Sequence, residues 1–377
     1  MDGNQSELLS LHKQLDFDCR HRNGRPFVSD WYCEHPFVDD IIPVNERLIP
    51  PSVRLEPYNF PNDTTDLHAE IGQFHRERGE GSVGADQIFI TAGLSPLITA
   101  QMIMLKRRGV RRVNYIKPLY YTYYFLANTL GIELIPVNDA PLISPDAKLD
   151  LDRLTEPVLI FCDPIWFMGR NLAVAIIEQI RAWQSAEDRL VLVDGAFQYL
   201  RWKNNNQLEL SSLLDPERTL RNICPTKSTA THGIRFAYSI VPKTLLEEVR
   251  YCYSNVAGSA SAFDMHAARS MMKWLNSSRS NGALLDFIDR RYKFMTERGL
   301  LSKEVEPNAA YFCFVKFPLN PQNVITMSQE FFDTTTFPDF GRFNLLLPSK
   351  EMSAFIHLCA AELGGDYDAL MGGLSLI

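Results

Sequence analysis

A lysine, an acid and an arginine mark the positions where this chain is equipped for chemistry. Lys227 stands in Cys224-Pro-Thr-Lys-Ser-Thr-Ala-Thr-His-Gly-Ile-Arg235, with a glycine six residues on and the arginine eight residues on. A nucleophilic lysine needs a partly dry site, and a nearby arginine disfavours its protonation while offering a clamp for an anion. Upstream, the apolar run Val191-Leu-Val ends on Asp194. Thr91-Ala-Gly-Leu-Ser95 reads as a strand end, a glycine turn and a helix start, where the N–H groups of Leu94 and Ser95 and the Ser95 hydroxyl are placed to cradle a phosphate or simply to cap the helix. Tyr120 follows another strand and offers an aromatic face, and Cys162-Asp-Pro-Ile-Trp166-Phe-Met-Gly169 is a further strand-end loop.

The elements that must position these residues alternate in the manner of an α/β protein. Strands are expected at 87–91, 112–116, 133–137, 158–162 and 190–193, with helices at 96–106, 120–130 and 173–184 between them. That rhythm implies βαβ crossovers and a mostly parallel sheet buried on both faces. Helical spacing follows over 245–255, 262–275 and 282–298. A smaller α+β unit comes next: strand 309–315, helix 325–332, strand 343–347 and helix 351–363. Residues 1–50 read as irregular and aromatic-rich, with Asp30-Trp-Tyr-Cys-Glu-His-Pro36 as an arm that packs on something else, and 371–377 as a loosely held tail. In open sheets of this class ligands sit beyond the carboxyl ends of the strands, where the chemical residues fall.

Composition removes other classes. With 377 residues the chain can fill a large core, and its net charge of −7 gives no reason to expect nucleic acid or an anionic membrane as partner. No run is long and apolar enough to span a bilayer, and the N-terminus lacks a basic-then-apolar leader pattern. The seven cysteines are scattered without a CxxC pair, which favours reduced thiols in the cytoplasm over a disulfide or zinc framework. The eight histidines show no metal-ligand spacing, so no metal is assigned. No Gly-x-Gly-x-x-Gly follows an early strand, which argues against a nicotinamide dehydrogenase.

A phosphate cradle, an aromatic platform, a buried acid, a lysine and a second phosphate clamp are together what pyridoxal 5′-phosphate requires. The chain here resembles the fold-type I pyridoxal-phosphate enzymes, the class I/II aminotransferase group, over residues from about 30 to 365. The carrying matches are Lys227 with Gly233 and Arg235, Asp194 in Val-Asp-Gly-Ala-Phe, Tyr120 in Pro-Leu-Tyr-Tyr-Thr-Tyr, and the Leu94–Ser95 turn. The resemblance implies that Lys227 forms an imine with the cofactor and that Asp194 pairs with its ring nitrogen. It also implies that Tyr58 reaches a partner subunit's phosphate in a homodimer, and that Arg342 grips an amino acid's α-carboxylate. The domains it implies are an arm or part of the small domain at 1–50, a large cofactor domain at 51–275 and a small α+β domain at 276–377. The expected partners are an amino acid and a 2-oxo acid.

The pattern breaks at two positions. Trp166 stands where the family has an asparagine, and Phe197 where it has a tyrosine. Both usual donors to the cofactor's phenolic oxygen are therefore missing, unless water, Tyr199 or Asp163 substitutes. Three outcomes stay open: an aminotransferase, a cyclase, lyase or oxidase on the same scaffold, or a binding protein that has lost catalysis.

Overall fold

The computed structural model describes residues 2–41, 62, 65–81, 83–186, 188–203, 208–277 and 281–375. Nine strands form two sheets among the described residues. The large sheet contains β1 (Ile88–Thr91), β2 (Arg112–Tyr115), β3 (Glu133–Pro136), β4 (Val158–Cys162), β5 (Leu190–Gly195), β6 (Thr219–Ile223) and β7 (Ala237–Ile240). Its order is β1-β7-β6-β5-β4-β2-β3. Strands β3, β2, β4, β5 and β6 pair in parallel, while β7 runs antiparallel to both β1 and β6. The small sheet is the antiparallel pair β8 (Phe312–Lys316) and β9 (Phe340–Asn344).

β4 is a continuous apolar run because helices cover both faces, and every residue of β4 and β6 is buried, the polar Thr219, Arg221 and Asn222 of β6 included. Helix Leu94–Arg107 packs through Leu97, Ile98, Met102 and Leu105, and helix Val174–Gln184 through Ile176, Ile177, Ile180 and Trp183. Both place these residues at the spacing that puts them on one helical face. Strand direction has a consequence for the site. Because β7 runs backwards, residues just before it lie at the same sheet edge as residues just after β1, β2, β4, β5 and β6. Arg235 thereby joins the row formed by the other strand ends.

Four sequence expectations need correction. The first fifty residues are not irregular throughout: Asp2–Arg20 is a helix whose Leu15 packs against the core. The helix expected at 325–332 is mostly extended. Ile325 bridges to Phe27, Thr326 donates its hydroxyl to the Arg342 carbonyl, and only Gln329–Phe332 turns as a short 3₁₀ segment. Tertiary pairing overrides a helical spacing there. The strand expected at 343–347 is displaced to Phe340–Asn344, and the chain turns after it through Leu347 N–H donating to the Asn344 carbonyl. The described part of the tail, 371–375, is not loose: it lies in the helix Tyr367–Ser375 with Leu374 buried, and a Cβ on Gly373 would meet the Phe294 ring at 2.6 Å, while 376–377 lie outside the described residues.

Candidate active site

A cavity of about 1060 Å³ opens at the carboxyl edge of the large sheet, and its wall includes Leu94, Ser95, Tyr120, Trp166, Asp194, Lys227 and Arg235. These come from loops far apart in sequence, assembled by the strand order described above. Tyr58 lies outside the described residues.

One end of the cavity is built for an anion. Helix Leu94–Arg107 begins after Gly93, which has φ +93° and provides no side-chain cap. Ser95 is therefore not the cap residue, and the first-turn N–H groups have no partner within the helix. A Cβ on Gly93 would stand 2.7 Å from the Arg235 guanidinium, so that side chain lies directly against the turn. The guanidinium is partly solvent-exposed and its side chain enters no hydrogen bond or ion pair among the described residues, although the Arg235 backbone N–H is held by Asp264 at 3.1 Å. Helix dipole, free N–H groups and an uncommitted arginine converge on one spot.

Asp194 ends β5 and is 4% exposed. Its carboxylate accepts from the Ala196 N–H at 3.2 Å. Burial pushes its pKa up to about 6, opposed by that N–H and by the charge of Lys227. A buried carboxylate with one hydrogen bond is under-satisfied, and a cationic N–H presented from the cavity would relieve it.

Lys227 sits in a single helical turn, Pro225–Ser228, directly after β6. Its Nζ lies 5.3 Å from the Trp31 ring and 5.7 Å from the Phe197 ring. The Nζ amine makes no hydrogen bond or ion pair among the described residues, while the backbone N–H donates to the Cys224 carbonyl at 2.8 Å. Burial lowers its pKa, aided by the charges of Arg342 and Arg235 and opposed by Cys224 and Cys33. The neutral, nucleophilic amine is thus more accessible than for a lysine in water.

The opposite wall is aromatic. Trp31 stacks on Trp166 with ring centroids 5.3 Å apart and planes 26° from parallel, and Tyr120 meets Trp166 edge-on at 5.8 Å. His232 has its Nδ1 2.9 Å from the Trp31 carbonyl and its Nε2 2.6 Å from the Tyr311 hydroxyl. The carbonyl can only accept, so Nδ1 carries the proton and Nε2 accepts from Tyr311. Burial and the Lys227 charge hold this imidazole down to about 3, which keeps it neutral.

Three positions depart from expectation. Arg342 does not line the cavity. It is fully buried behind Trp31, with Nε donating to the Ser29 hydroxyl at 2.8 Å and Nη2 donating to the Ser29 carbonyl. Tyr199 does not stand in for the missing donor. Its hydroxyl is 2.7 Å from Glu80 and 3.0 Å from Arg221, in a buried cluster with His75 on the other side of the chain. Asp163 is fully buried too, accepting from Leu172 N–H and the Asn171 amide rather than facing the cavity. Sequence reading placed the 30–36 segment as an arm without a destination. Trp31, Cys33 and His35 in fact line the cavity, and the cue was the density of aromatic residues around them.

No protein-family model and no curated protein matches the sequence. Solved structures do match its shape. An aspartate aminotransferase from Thermotoga maritima superposes with a TM-score of 0.73 at 14% identity, covering 97% of this chain and 100% of the other. The chain has the aminotransferase fold, fold type I. An N-succinyldiaminopimelate aminotransferase from Mycobacterium tuberculosis matches at TM-score 0.72 and 17% identity, over 94% of this chain and 96% of that one. An Escherichia coli protein with a methionine aminotransferase function matches at 0.72 and 15%, over 93% and 94%. No helix among the described residues is long and apolar enough to cross a membrane, and none of their His, Cys, Asp and Glu residues form a group of three or more fit for a metal ion.

Proposed function

We propose that this protein is a pyridoxal 5′-phosphate enzyme acting on an α-amino acid, an aminotransferase that pairs the amino acid with a 2-oxo acid. The observation that carries the reading is the meeting of Lys227, Asp194, Tyr120 and the Gly93–Arg235 anion cradle in one cavity. The residues present fit the group: the under-satisfied Asp194 matches a cationic ring nitrogen, the cradle matches a phosphate, and the unpartnered Lys227 amine matches a carbonyl carbon. When bound, pyridoxal phosphate supplies the electron sink for a carbanion formed at the substrate's Cα.

The chain's own groups have distinct tasks. Lys227 would hold the cofactor through its amine and, once that amine is freed by the substrate's, would serve as the base that takes and returns the proton at the substrate's Cα. Asp194 would pair with the ring nitrogen and favour its protonated form. Arg235 and the first-turn N–H groups would hold the phosphate, Tyr120 would offer the ring an aromatic face, and the aromatic wall would exclude water. Homodimerisation, with Tyr58 reaching the neighbour's phosphate, belongs to the same proposal. So does a cytoplasmic location, which the scattered, unpaired cysteines favour.

A specific observation favours a second reading. Phe197 turns an apolar ring toward the site, and Tyr199 is committed elsewhere. With Phe197 and Trp166 standing where the resemblance expects a tyrosine and an asparagine, the reaction course can turn toward elimination, cyclisation, decarboxylation or oxidation. Mixing the cofactor-loaded protein with single amino acids and following absorbance for the pyridoxamine form separates the two. Formation of that form, reversed by a 2-oxo acid, supports transamination. No such conversion with any amino acid sinks it.

A further inference from the structure

The backbone on either side of Trp31 is pinned carbonyl by carbonyl. The Ser29 carbonyl accepts from Arg342 Nη2, and those of Asp30 and Tyr32 accept from the Asn344 side-chain amide at 3.0 and 3.1 Å. The Trp31 carbonyl itself accepts from His232 Nδ1 at 2.9 Å. Arg342 and Asn344 belong to β9, and His232 follows the helical turn that carries Lys227. The indole is fixed as well: it stacks on Trp166, meets Phe312 edge-on with ring centroids 5.5 Å apart, and lies 3.9 Å from the Arg342 guanidinium. A segment outside any helix or strand is thus held along its length, and what it brings to the cavity beside Lys227 is the Trp31 ring.

Lys227 Nζ stands over two ring faces, Trp31 at 5.3 Å and Phe197 at 5.7 Å, both inside the roughly 6 Å at which an aromatic face attracts a cation. Titratable groups surround this nitrogen from several elements without bonding it. Asp194 on β5, Cys224 after β6 and Cys33 beside Trp31 favour its charge, while Arg342 on β9 and Arg235 before β7 oppose it. His232 is neutral, with both ring nitrogens engaged. An amine that takes a proton here becomes a cation in a site of low polarity. The partners that the chain sets directly around it are ring faces.

Resting on the function proposed above, we infer that Trp31 and Phe197 form a clamp of two ring faces on the Lys227 amine: they are positioning residues that hold the nitrogen in the cavity and stabilise the cation it becomes on taking a proton. Arg342 and Asn344 act one step further back, fixing the segment that delivers Trp31. The freed amine is then a stronger base than burial alone allows, and the gain appears only as the proton arrives, where it speeds the transfer. Phe197, standing where the resemblance expects a tyrosine, has in this scheme a task of its own.

The test weakens the negative face of each ring while keeping its shape, which a merely structural role would not feel. Phe197 is replaced by trifluorophenylalanine and Trp31 by tetrafluorotryptophan, singly and together. Cofactor-free protein is labelled with acetic anhydride over a pH series, and acetylation of the Lys227 peptide is measured by mass spectrometry. The expected result is a midpoint moved to lower pH. Below it, labelling speeds about threefold for either ring and about tenfold for both, with the same plateau rate above it, since access is unchanged. Trifluorophenylalanine in place of Phe314, buried in the small sheet, leaves the profile as it was. An unmoved midpoint, a shift to higher pH, a response from one ring alone, or an equal response to the Phe314 replacement overturns the clamp. The readout needs no cofactor, so the two proposals fail separately. A chain with the fluorine dependence that takes up no pyridoxal phosphate refutes the function proposed above and leaves the clamp standing; uptake without the dependence does the reverse.

Discussion

Asp194 offers a prediction whose sign reverses with the cofactor. Burial pushes its pKa up to about 6 in the folded chain against an ordinary 3.8, outweighing its one N–H donor and the charge of Lys227. The folded state therefore holds this proton more tightly than the unfolded one. Stability falls as the pH rises from below 3.8 through 6, and above that the penalty is constant at about 3 kcal/mol. Asp194→Asn removes the titration while keeping the shape. Without cofactor the variant gains about 3 kcal/mol at pH 8, or roughly 4 °C in Tm for a chain of this length, and about half that at pH 5. With saturating pyridoxal phosphate the order inverts, because only the carboxylate pairs with a cationic ring nitrogen. Differential scanning fluorimetry at pH 5 and pH 8, with and without cofactor, reads all four conditions. A variant that loses stability without cofactor, or whose gain is the same at both pH values, refutes the electrostatic account of this residue.

Two further substitutions probe the cradle and the scaffold. Gly93→Ala places a methyl at φ +93° and 2.7 Å from Arg235. It costs about 1–3 kcal/mol by chemical denaturation and weakens pyridoxal-phosphate affinity by about tenfold, since Arg235 must shift from the turn. Glu80→Gln strips the charge from a carboxylate that binds Arg221, His75 Nδ1 at 2.9 Å and the Tyr199 hydroxyl at 2.7 Å. Burial works against that carboxylate, but Arg221 and His75 prevail and hold its pKa down to about 2, against an ordinary 4.5. Its contribution is present above pH 4.5 and lost as the pH falls toward 2. Urea unfolding at pH 7 should show a loss of about 3 kcal/mol or more.

The parts of the site legible in sequence were those on contiguous strand-to-helix segments. A strand end and its following turn keep their chemistry in a few residues, so Ser95, Tyr120, Asp194 and Lys227 could each be placed at the edge of a parallel sheet. What sequence reading lacked was pairing across long separations. The burial of Arg342 behind Trp31 joins β9 to a segment more than three hundred residues earlier through Ser29, and no local spacing encodes it. Tyr199, two residues after Phe197, is one of the substitute donors that the sequence leaves open beside water and Asp163. Its backbone has φ +62°, and the ring is buried among Glu80, His75 and Arg221. In the helix Asp2–Arg20 the apolar spacing of Leu8, Leu11 and Leu15 is the helical signal that the sequence carries. In the small sheet the strand shifted to Phe340–Asn344 because pairing with Phe312–Lys316 fixed its register.

The most direct test of the central claim is covalent. The protein is loaded with pyridoxal phosphate, reduced with borohydride to fix any lysine adduct, digested and mapped by mass spectrometry. The account predicts a phosphopyridoxyl group on Lys227, stoichiometric with the chain, and no adduct above background in Lys227→Ala. A modification on another lysine, or unmodified Lys227 in protein saturated with cofactor, contradicts it.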